Sequence, residues 1–246
     1  MSAMPPPPQS PLPPADVAAA EGPEAPLQAL LQRGQVWRGR QACALPRGVW
    51  PSGQPPLDAA LPGGGWPRQG LVDCLAEGRG FGELALFAPL LRAAGRACWL
   101  APPHVPYAPA LQQWGLDLRE QLWLQPAADE RLWAAETVLQ SGLYPLLLAW
   151  LPAAGEAALR RLSLAAEEQG VLLLAWRGVA QAAQACPARL RLRLAGTSAG
   201  LRIDLFKGRG LQPRSLLLSP ESADVVALSA RPAAGAGVPD AARHAA

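Results

Sequence analysis

The chain has 246 residues, half of them apolar, and a net charge of +3. This length and apolar content suit one sizeable domain with its own core, and they exclude a chain that is disordered throughout. The small net charge neither requires nor excludes a nucleic-acid partner.

The flanks of the chain differ in composition from its middle. Residues 1–25 are rich in proline and alanine, and residues 221–246 are rich in alanine, glycine and proline. Both compositions are typical of disordered segments. We therefore predict a disordered arm over residues 1–25, a folded domain over residues 26–220 and a disordered tail over residues 221–246.

Strand and helix patterns alternate from residue 70 onwards. The predicted strands are residues 71–75, 96–101, 121–124, 146–150, 171–176, 190–194, 201–206 and 215–218. The predicted helices are residues 82–94, 109–114, 129–141 and 155–169, with Asp129 as the cap of the third. Alternation of this kind predicts an α/β fold with a mostly parallel sheet flanked by helices. The last three strands leave little room for helices, which predicts antiparallel additions at a β-rich C-terminal edge.

The cysteines and the apolar runs bear on the compartment. Cys43, Cys74, Cys98 and Cys186 show no C-x-x-C spacing and are not near the two histidines. We expect free buried thiols in a reducing compartment and no metal site. The longest apolar run, residues 146–151, is too short to span a bilayer, and no signal peptide precedes it. The sequence thus predicts a cytoplasmic protein without a membrane contact.

A glycine-rich segment, residues 77–84, reads E-G-R-G-F-G-E-L and follows a predicted strand. A working phosphate loop has the pattern G-x-x-x-x-G-K-[ST], in which the lysine reaches the phosphates and the hydroxyl holds Mg²⁺. Set on Gly82, the pattern places Glu83 at the lysine position and Leu84 at the hydroxyl position. The only lysine of the chain, Lys207, lies far away in sequence.

The three glycines of this segment, Gly78, Gly80 and Gly82, could still present backbone N–H groups to an anion. The neighbouring carboxylates of Glu77 and Glu83 oppose phosphate binding, which favours an inert scaffold or an interaction surface. No Ser/His/Asp or Cys/His constellation is present. We expect no catalytic residues, no cofactor and no enzymatic activity.

Alternating arginines mark the strand predicted over residues 190–194. Arg189, Arg191 and Arg193 alternate with leucines, and a period of two places all three on one face of a strand. They form either a solvated sheet face or a basic patch for DNA phosphates or an acidic partner. Lys207 and Arg209 could extend that patch.

Nine tryptophans in a chain with two tyrosines and three phenylalanines form a second unusual feature. Trp99, Trp150 and Trp176 lie in apolar strands, and we expect them in the core. Others lie near turns or helix surfaces, where tryptophan often anchors a protein–protein interface. These candidate anchors are Trp37, Trp50, Trp66, Trp114 and Trp133.

The order of these elements, together with three local stretches, resembles the ATPase core of RecA. The stretches are residues 52–67, which lead into the glycine-rich segment, residues 98–104, and the basic turn at residues 207–213. The resemblance implies a RecA-like fold in which three parts of the ATPase machinery are missing. Beside the altered phosphate loop, Pro103 falls at the water-activating glutamate, and Trp150 falls at the aspartate that organises Mg²⁺.

Three runs are also similar to the ImuA family within this superfamily: L-P-G-G-G-W-P at residues 61–67, G-F-G-E-L at 80–84 and K-G-R-G at 207–210. This resemblance implies a non-catalytic accessory protein of damage-induced (SOS) mutagenesis that associates with the nucleoid on DNA damage. The implied partners are ImuB (an inactive Y-family polymerase homologue), an error-prone C-family polymerase and RecA. Self-association and weak DNA binding are compatible with it. The alternatives are a DNA-binding module that regulates RecA and a SulA-like inhibitor of cell division.

Overall fold

The computed structural model describes residues 48–219. The predicted arm (1–25), the predicted tail (221–246), Trp37 and Cys43 lie outside the described residues. Within the described range, no helix combines the length and the apolar content needed to cross a bilayer.

From residue 70 onwards the regular elements match the predicted alternation. In chain order the strands are β1 (Val49–Trp50), β2 (Trp66–Pro67), β3 (Gly70–Ala76), β4 (Ala97–Leu100), β5 (Gln121–Leu124), β6 (Leu146–Trp150), β7 (Leu172–Gly178), β8 (Leu190–Thr197), β9 (Gly200–Gly208) and β10 (Arg214–Leu218). The α-helices are α1 (Pro55–Asp58), α2 (Ala88–Ala94), α3 (Ala108–Gln113), α4 (Arg131–Ser141) and α5 (Glu156–Glu168). Short 3₁₀ turns cover Ala85–Phe87, Leu118–Glu120 and Val179–Ala183.

An eight-stranded sheet organises the fold, in the order β10-β9-β8-β3-β7-β6-β4-β5. The strands from β8 to β5 in that order run parallel. Strands β9 and β10 add to β8 as antiparallel neighbours. The predicted fold class, a mostly parallel α/β sheet flanked by helices with a β-rich C-terminal edge, is confirmed.

Both faces of the parallel part are buried, which explains why its strands are leucine-rich throughout. Helices α1, α2 and α3 cover the first face, together with the antiparallel pair β1–β2, and the buried residues of the helices include Leu57, Leu90 and Leu111. Helices α4 and α5 cover the second face with residues such as Leu139 and Leu159. Successive residues of β4, β6 and β7 alternate between the two cores, as strand geometry requires.

The helix predicted over residues 82–94 begins later than expected. A 3₁₀ turn from Ala85 leads into α2, which starts at Ala88. The reason is local: Gly82 has φ +87°, in the left-handed region, and a right-handed helix cannot include it. The predicted cap of α4 is also wrong, because the helix follows Glu130 and no side chain caps it.

The three described cysteines are buried and free, as the sequence predicts. Burial raises the pKa of the Cys98 thiol to about 12. Burial, and then the negative charge of Asp73, raise the pKa of Cys74. Burial likewise raises the pKa of Cys186.

These thiols should therefore resist alkylation in the folded protein. At pH 8 the thiolate fraction of Cys98 is lower than that of a free cysteine by about a thousandfold. We expect iodoacetamide, followed by peptide mass spectrometry, to label Cys98 slowly in buffer and rapidly in concentrated urea. Equal labelling rates under the two conditions would contradict the buried position of this thiol.

Candidate functional site

The three positions at which the sequence departs from the ATPase pattern all lie at the carboxyl ends of the parallel strands. Strands β3, β4 and β6 are parallel, so their carboxyl ends lie on the same side of the sheet. The glycine-rich loop (residues 77–84) follows β3, Pro103 follows β4, and Trp150 ends β6. Ligands of open α/β sheets bind outside the carboxyl ends of the strands. The carboxyl ends of β3, β4 and β6, with the loops that follow them, are therefore the candidate functional site.

The Glu83 side chain turns back into the glycine-rich loop. Its Oε1 accepts a hydrogen bond from the Gly80 N–H at 3.1 Å, and its Oε2 accepts one from the Phe81 N–H at 3.0 Å. In a phosphate loop such N–H groups contact the phosphates. Leu84 is half-buried against the first-face core, so the residue at the hydroxyl position serves packing.

Trp150 lies in a ladder of stacked indoles across neighbouring strands. Its ring centroid lies 5.6 Å from that of Trp176 and 6.5 Å from that of Trp99, with interplanar angles of 8° and 15°. Trp99 in turn stacks on Trp123 at 6.1 Å. Trp150 thus has an indole neighbour on each adjacent strand, and its side chain offers no oxygen ligand for Mg²⁺.

The carboxyl end of β4 has a strained backbone. Ala101 has φ +50°, and it is the only described non-glycine residue with a positive φ. Pro102 follows it, although the residue before a proline favours an extended conformation. Pro103 and His104 are exposed beyond this turn, and neither lies in a group of His, Cys, Asp and Glu residues that could hold a metal ion. Backbone strain of this kind is found most often at active sites, ligand-binding sites and switch regions.

The arginine strand is not a solvated basic face. Arg191 is only 5% exposed, and its Nε donates to Asp73 at 2.8 Å. Arg189 donates to Glu167 of α5 at 3.0 Å. The hypothesis that Arg191 contacts DNA or a partner is therefore wrong, because its guanidinium is used inside the fold.

The remaining basic candidates are closer to the surface. Arg193 is partly exposed and lies 3.9 Å from the Glu77 carboxylate, which Arg202 also approaches at 3.6 Å. Lys207 Nζ donates to the backbone carbonyl of Cys186. Arg209 is exposed on the turn after β9. Lys207 pairs with Arg191 in the β8–β9 register, but the Cys186 carbonyl accepts a hydrogen bond from its ammonium group.

A buried ionic cluster is the feature that the sequence interpretation missed. Asp73 of β3 is fully buried and accepts two 2.8 Å hydrogen bonds from Arg177 of β7, one on each oxygen. Arg191 of β8 contributes the third contact. Burial alone would lower the pKa of Arg177, but the hydrogen bonds and the charge of Asp73 raise it. We call Asp73, Arg177 and Arg191 the buried triad.

The buried triad holds two positive charges against one negative charge, and uncharged backbone and side-chain oxygens accept the remaining hydrogen bonds. The remaining N–H groups of Arg191 donate to the carbonyls of Gln181 at 3.1 Å and Ala182 at 3.2 Å. Arg177 donates to the Gln184 Oε1 at 2.7 Å. The triad thereby fixes the segment between β7 and β8 against the second face. The sequence signal for it is one aspartate inside the apolar strand G-L-V-D-C-L-A.

The described candidate tryptophan anchors differ in their burial. Trp50 and Trp66 are buried, at 9% and 0% exposure, so their assignment as interface anchors is wrong. Trp114 is partly buried against the first-face core. Trp133 on α4 is 67% exposed and remains a candidate anchor.

Comparison with known proteins gives little further information. No protein-family model matches the chain, and no curated protein matches it significantly. Among solved structures, the crystal structure of SulA from Pseudomonas aeruginosa is similar to part of the chain. It is 24% identical, with a TM-score of 0.38, and the match covers 43% of this chain and 96% of the SulA chain. A likeness at that TM-score supports no argument about function.

Proposed function

We propose that this protein is a non-catalytic, ImuA-like adaptor of damage-induced mutagenesis. One observation carries the non-catalytic part: the Glu83 carboxylate takes the Gly80 and Phe81 N–H groups that a phosphate would need. A nucleotide would have to displace this carboxylate and tolerate its charge. The proposed role in damage-induced mutagenesis rests on the runs at residues 61–67, 80–84 and 207–210, which are similar to the ImuA family.

The residues at the other two altered positions, Pro103 and Trp150, also support a protein without ATPase activity. Catalysis of phosphoryl transfer depends on placing charge and metal ions around the phosphates. Pro103 has no acid–base group, and Trp150, which stacks on Trp99 and Trp176, has no oxygen that could hold a metal ion. Each missing group removes several kcal/mol of transition-state stabilisation by general estimates. Restoring the phosphate-loop residues alone would leave the site without its general base and its metal ligand.

Exposed apolar side chains support a role in protein assembly. Val105 and Tyr107 follow the strained end of β4 and are 83% and 66% exposed. Trp133 and Leu164, on helices α4 and α5, are 67% and 56% exposed. Large exposed apolar residues near a polar surface are typical anchors of protein–protein contacts. The proposed partners are the ImuB-like homologue, the error-prone polymerase and RecA.

Capture of complexes tests the proposal. The tagged chain is expressed in DNA-damaged and undamaged host cells, and complexes are identified by mass spectrometry after washing at moderate salt. We expect the ImuB-like homologue, the C-family polymerase or RecA in the damaged sample. Trp133→Ala should lower their recovery if this residue is an anchor, whereas Trp114→Ala, at a partly buried position, serves as the comparison.

Other outcomes would favour the alternatives. Recovery of none of these partners from cells shown to express them contradicts the adaptor proposal. Direct binding to the division tubulin homologue, with filamentation on overexpression, would favour a division inhibitor. DNA affinity that falls steeply with salt would favour a DNA-binding module.

A further inference from the structure

We propose that residues 78–83 form an oxyanion site whose resident oxyanion is the chain's own Glu83 carboxylate. The two oxygens of that carboxylate divide between successive backbone donors, the N–H groups of Gly80 and Phe81, at 3.1 and 3.0 Å. Successive N–H groups that converge on one anion form a backbone nest, which binds carboxylates and phosphates. The glycine-rich loop thus keeps an anion-binding geometry and supplies its own anion.

The site belongs to the loop and not to a helix. The donors lie at positions 80 and 81, whereas the first helical turn begins at Ala85. Gly80 and Gly82 have φ values of +77° and +87°, which glycine adopts without strain. A Cβ added at either glycine would meet no atom within 4 Å, so the space beside the nest is open to a small ligand.

A separate contact holds the loop in place. A Cβ on Gly196 of β8 would lie 2.5 Å from the Phe81 Cβ, so the Phe81 side chain packs directly on bare backbone. Phe81 also packs against the first-face core. Because this anchor does not involve Glu83, we expect the nest to survive removal of the carboxylate.

A dissolved oxyanion must compete with the Glu83 carboxylate for the N–H groups of Gly80 and Phe81. An intramolecular ligand three residues away acts at an effective concentration of about millimolar or higher. Its charge also repels a second anion at the same N–H groups. A dissolved carboxylate or phosphate should therefore bind only after the Glu83 charge is removed. This inference goes beyond the adaptor role, which requires no small ligand.

Backbone amide spectra of the ¹⁵N-labelled full chain test the proposal. Three proteins are compared: wild type, Glu83→Ala, and Glu77→Ala as the matched control from the same loop. Glu77 contacts Arg193 and Arg202 and makes no hydrogen bond to the loop amides that the structure describes. Each protein is titrated at constant ionic strength and pH 7 with sodium formate and, separately, with inorganic phosphate.

In Glu83→Ala we expect the Gly80 and Phe81 amides to shift and to exchange about tenfold faster, because each loses one hydrogen bond. Formate or phosphate should then return both resonances saturably toward their wild-type positions, and the more effective anion identifies the preferred ligand. Wild type and Glu77→Ala should not respond. Unchanged amides in Glu83→Ala, rescue by neither anion, or an equal response of the wild type would each overturn the proposal. The dispersion of the other resonances reports that the variant is folded.

Discussion

Replacing Asp73 with asparagine should destabilise the protein by about 3–5 kcal/mol, the cost of leaving buried charges without their partner. Asparagine keeps the shape of the side chain but removes the only carboxylate within residues 48–219 that forms an ion pair with Arg177 and Arg191. The Asp73 and Arg177 side chains are both fully buried, so water cannot replace the lost interaction. Since a domain is stable by about 5–15 kcal/mol in total, much of its stability should be lost. Urea unfolding followed by far-UV circular dichroism measures the change.

Two comparisons make this prediction specific to burial. Glu156→Gln breaks the exposed ion pair with Arg160 on α5 and should cost less than about 1 kcal/mol. Replacing the whole buried triad with apolar residues (Asp73→Leu, Arg177→Met, Arg191→Leu) should recover most of the stability, because no unpaired charge then remains. A single Asp73→Asn variant as stable as Glu156→Gln would show that the cluster is solvated.

The sequence predicts the sheet well because its signals there are local. The strands over residues 121–124 and 146–150 have the bounds that the sequence predicts, since short apolar runs lie between turn residues. The stripe Leu159, Leu162 and Ala166 on α5 is buried as its spacing predicts. The order of the strands in the sheet does not follow from such patterns alone, because it depends on contacts between distant segments.

The candidate site is predictable only at the level of residue types. The mismatch with the phosphate-loop pattern identifies Glu83 from sequence, but not the turn of its side chain onto the loop. The alternation of arginines likewise identifies a common face and not its partner. Asp73 and Arg191 lie 118 residues apart and meet only because β3 and β8 become neighbours. A basic strand and a buried ionic cluster therefore give the same sequence pattern.

Trp66 shows a similar failure of local reasoning. Its position after three glycines indicates an exposed turn, yet the side chain is fully buried against Phe87, with ring centroids 5.0 Å apart. A Cβ on Gly65 would lie 2.4 Å from the Trp50 carbonyl oxygen, so the backbone there passes too close to β1 for any side chain. The glycine therefore permits the close approach that buries Trp66. Only the paired structure of β1 and β2 reveals this role.

Replacing Trp99 with alanine should cost about 3–5 kcal/mol, as for other large buried aromatic residues. Trp99 is fully buried, stacks on Trp123 and Trp150, and donates from its Nε1 to the Gln121 Oε1 at 3.1 Å. The substitution thus opens a cavity in the middle of the indole ladder and leaves the Gln121 acceptor without this donor. Urea unfolding gives the loss of stability, and near-UV circular dichroism should report the disrupted stacking.

The same substitution at Trp133 provides the control, because that indole is 67% exposed. Trp133→Ala should change the free energy of unfolding by less than about 0.5 kcal/mol. If Trp133 anchors a partner, this variant should lose binding while remaining as stable as the wild type. Similar losses of stability from the two substitutions would contradict the division of the tryptophans between core and surface. A stable Trp133→Ala variant that binds partners normally would instead remove α4 from the proposed assembly surface.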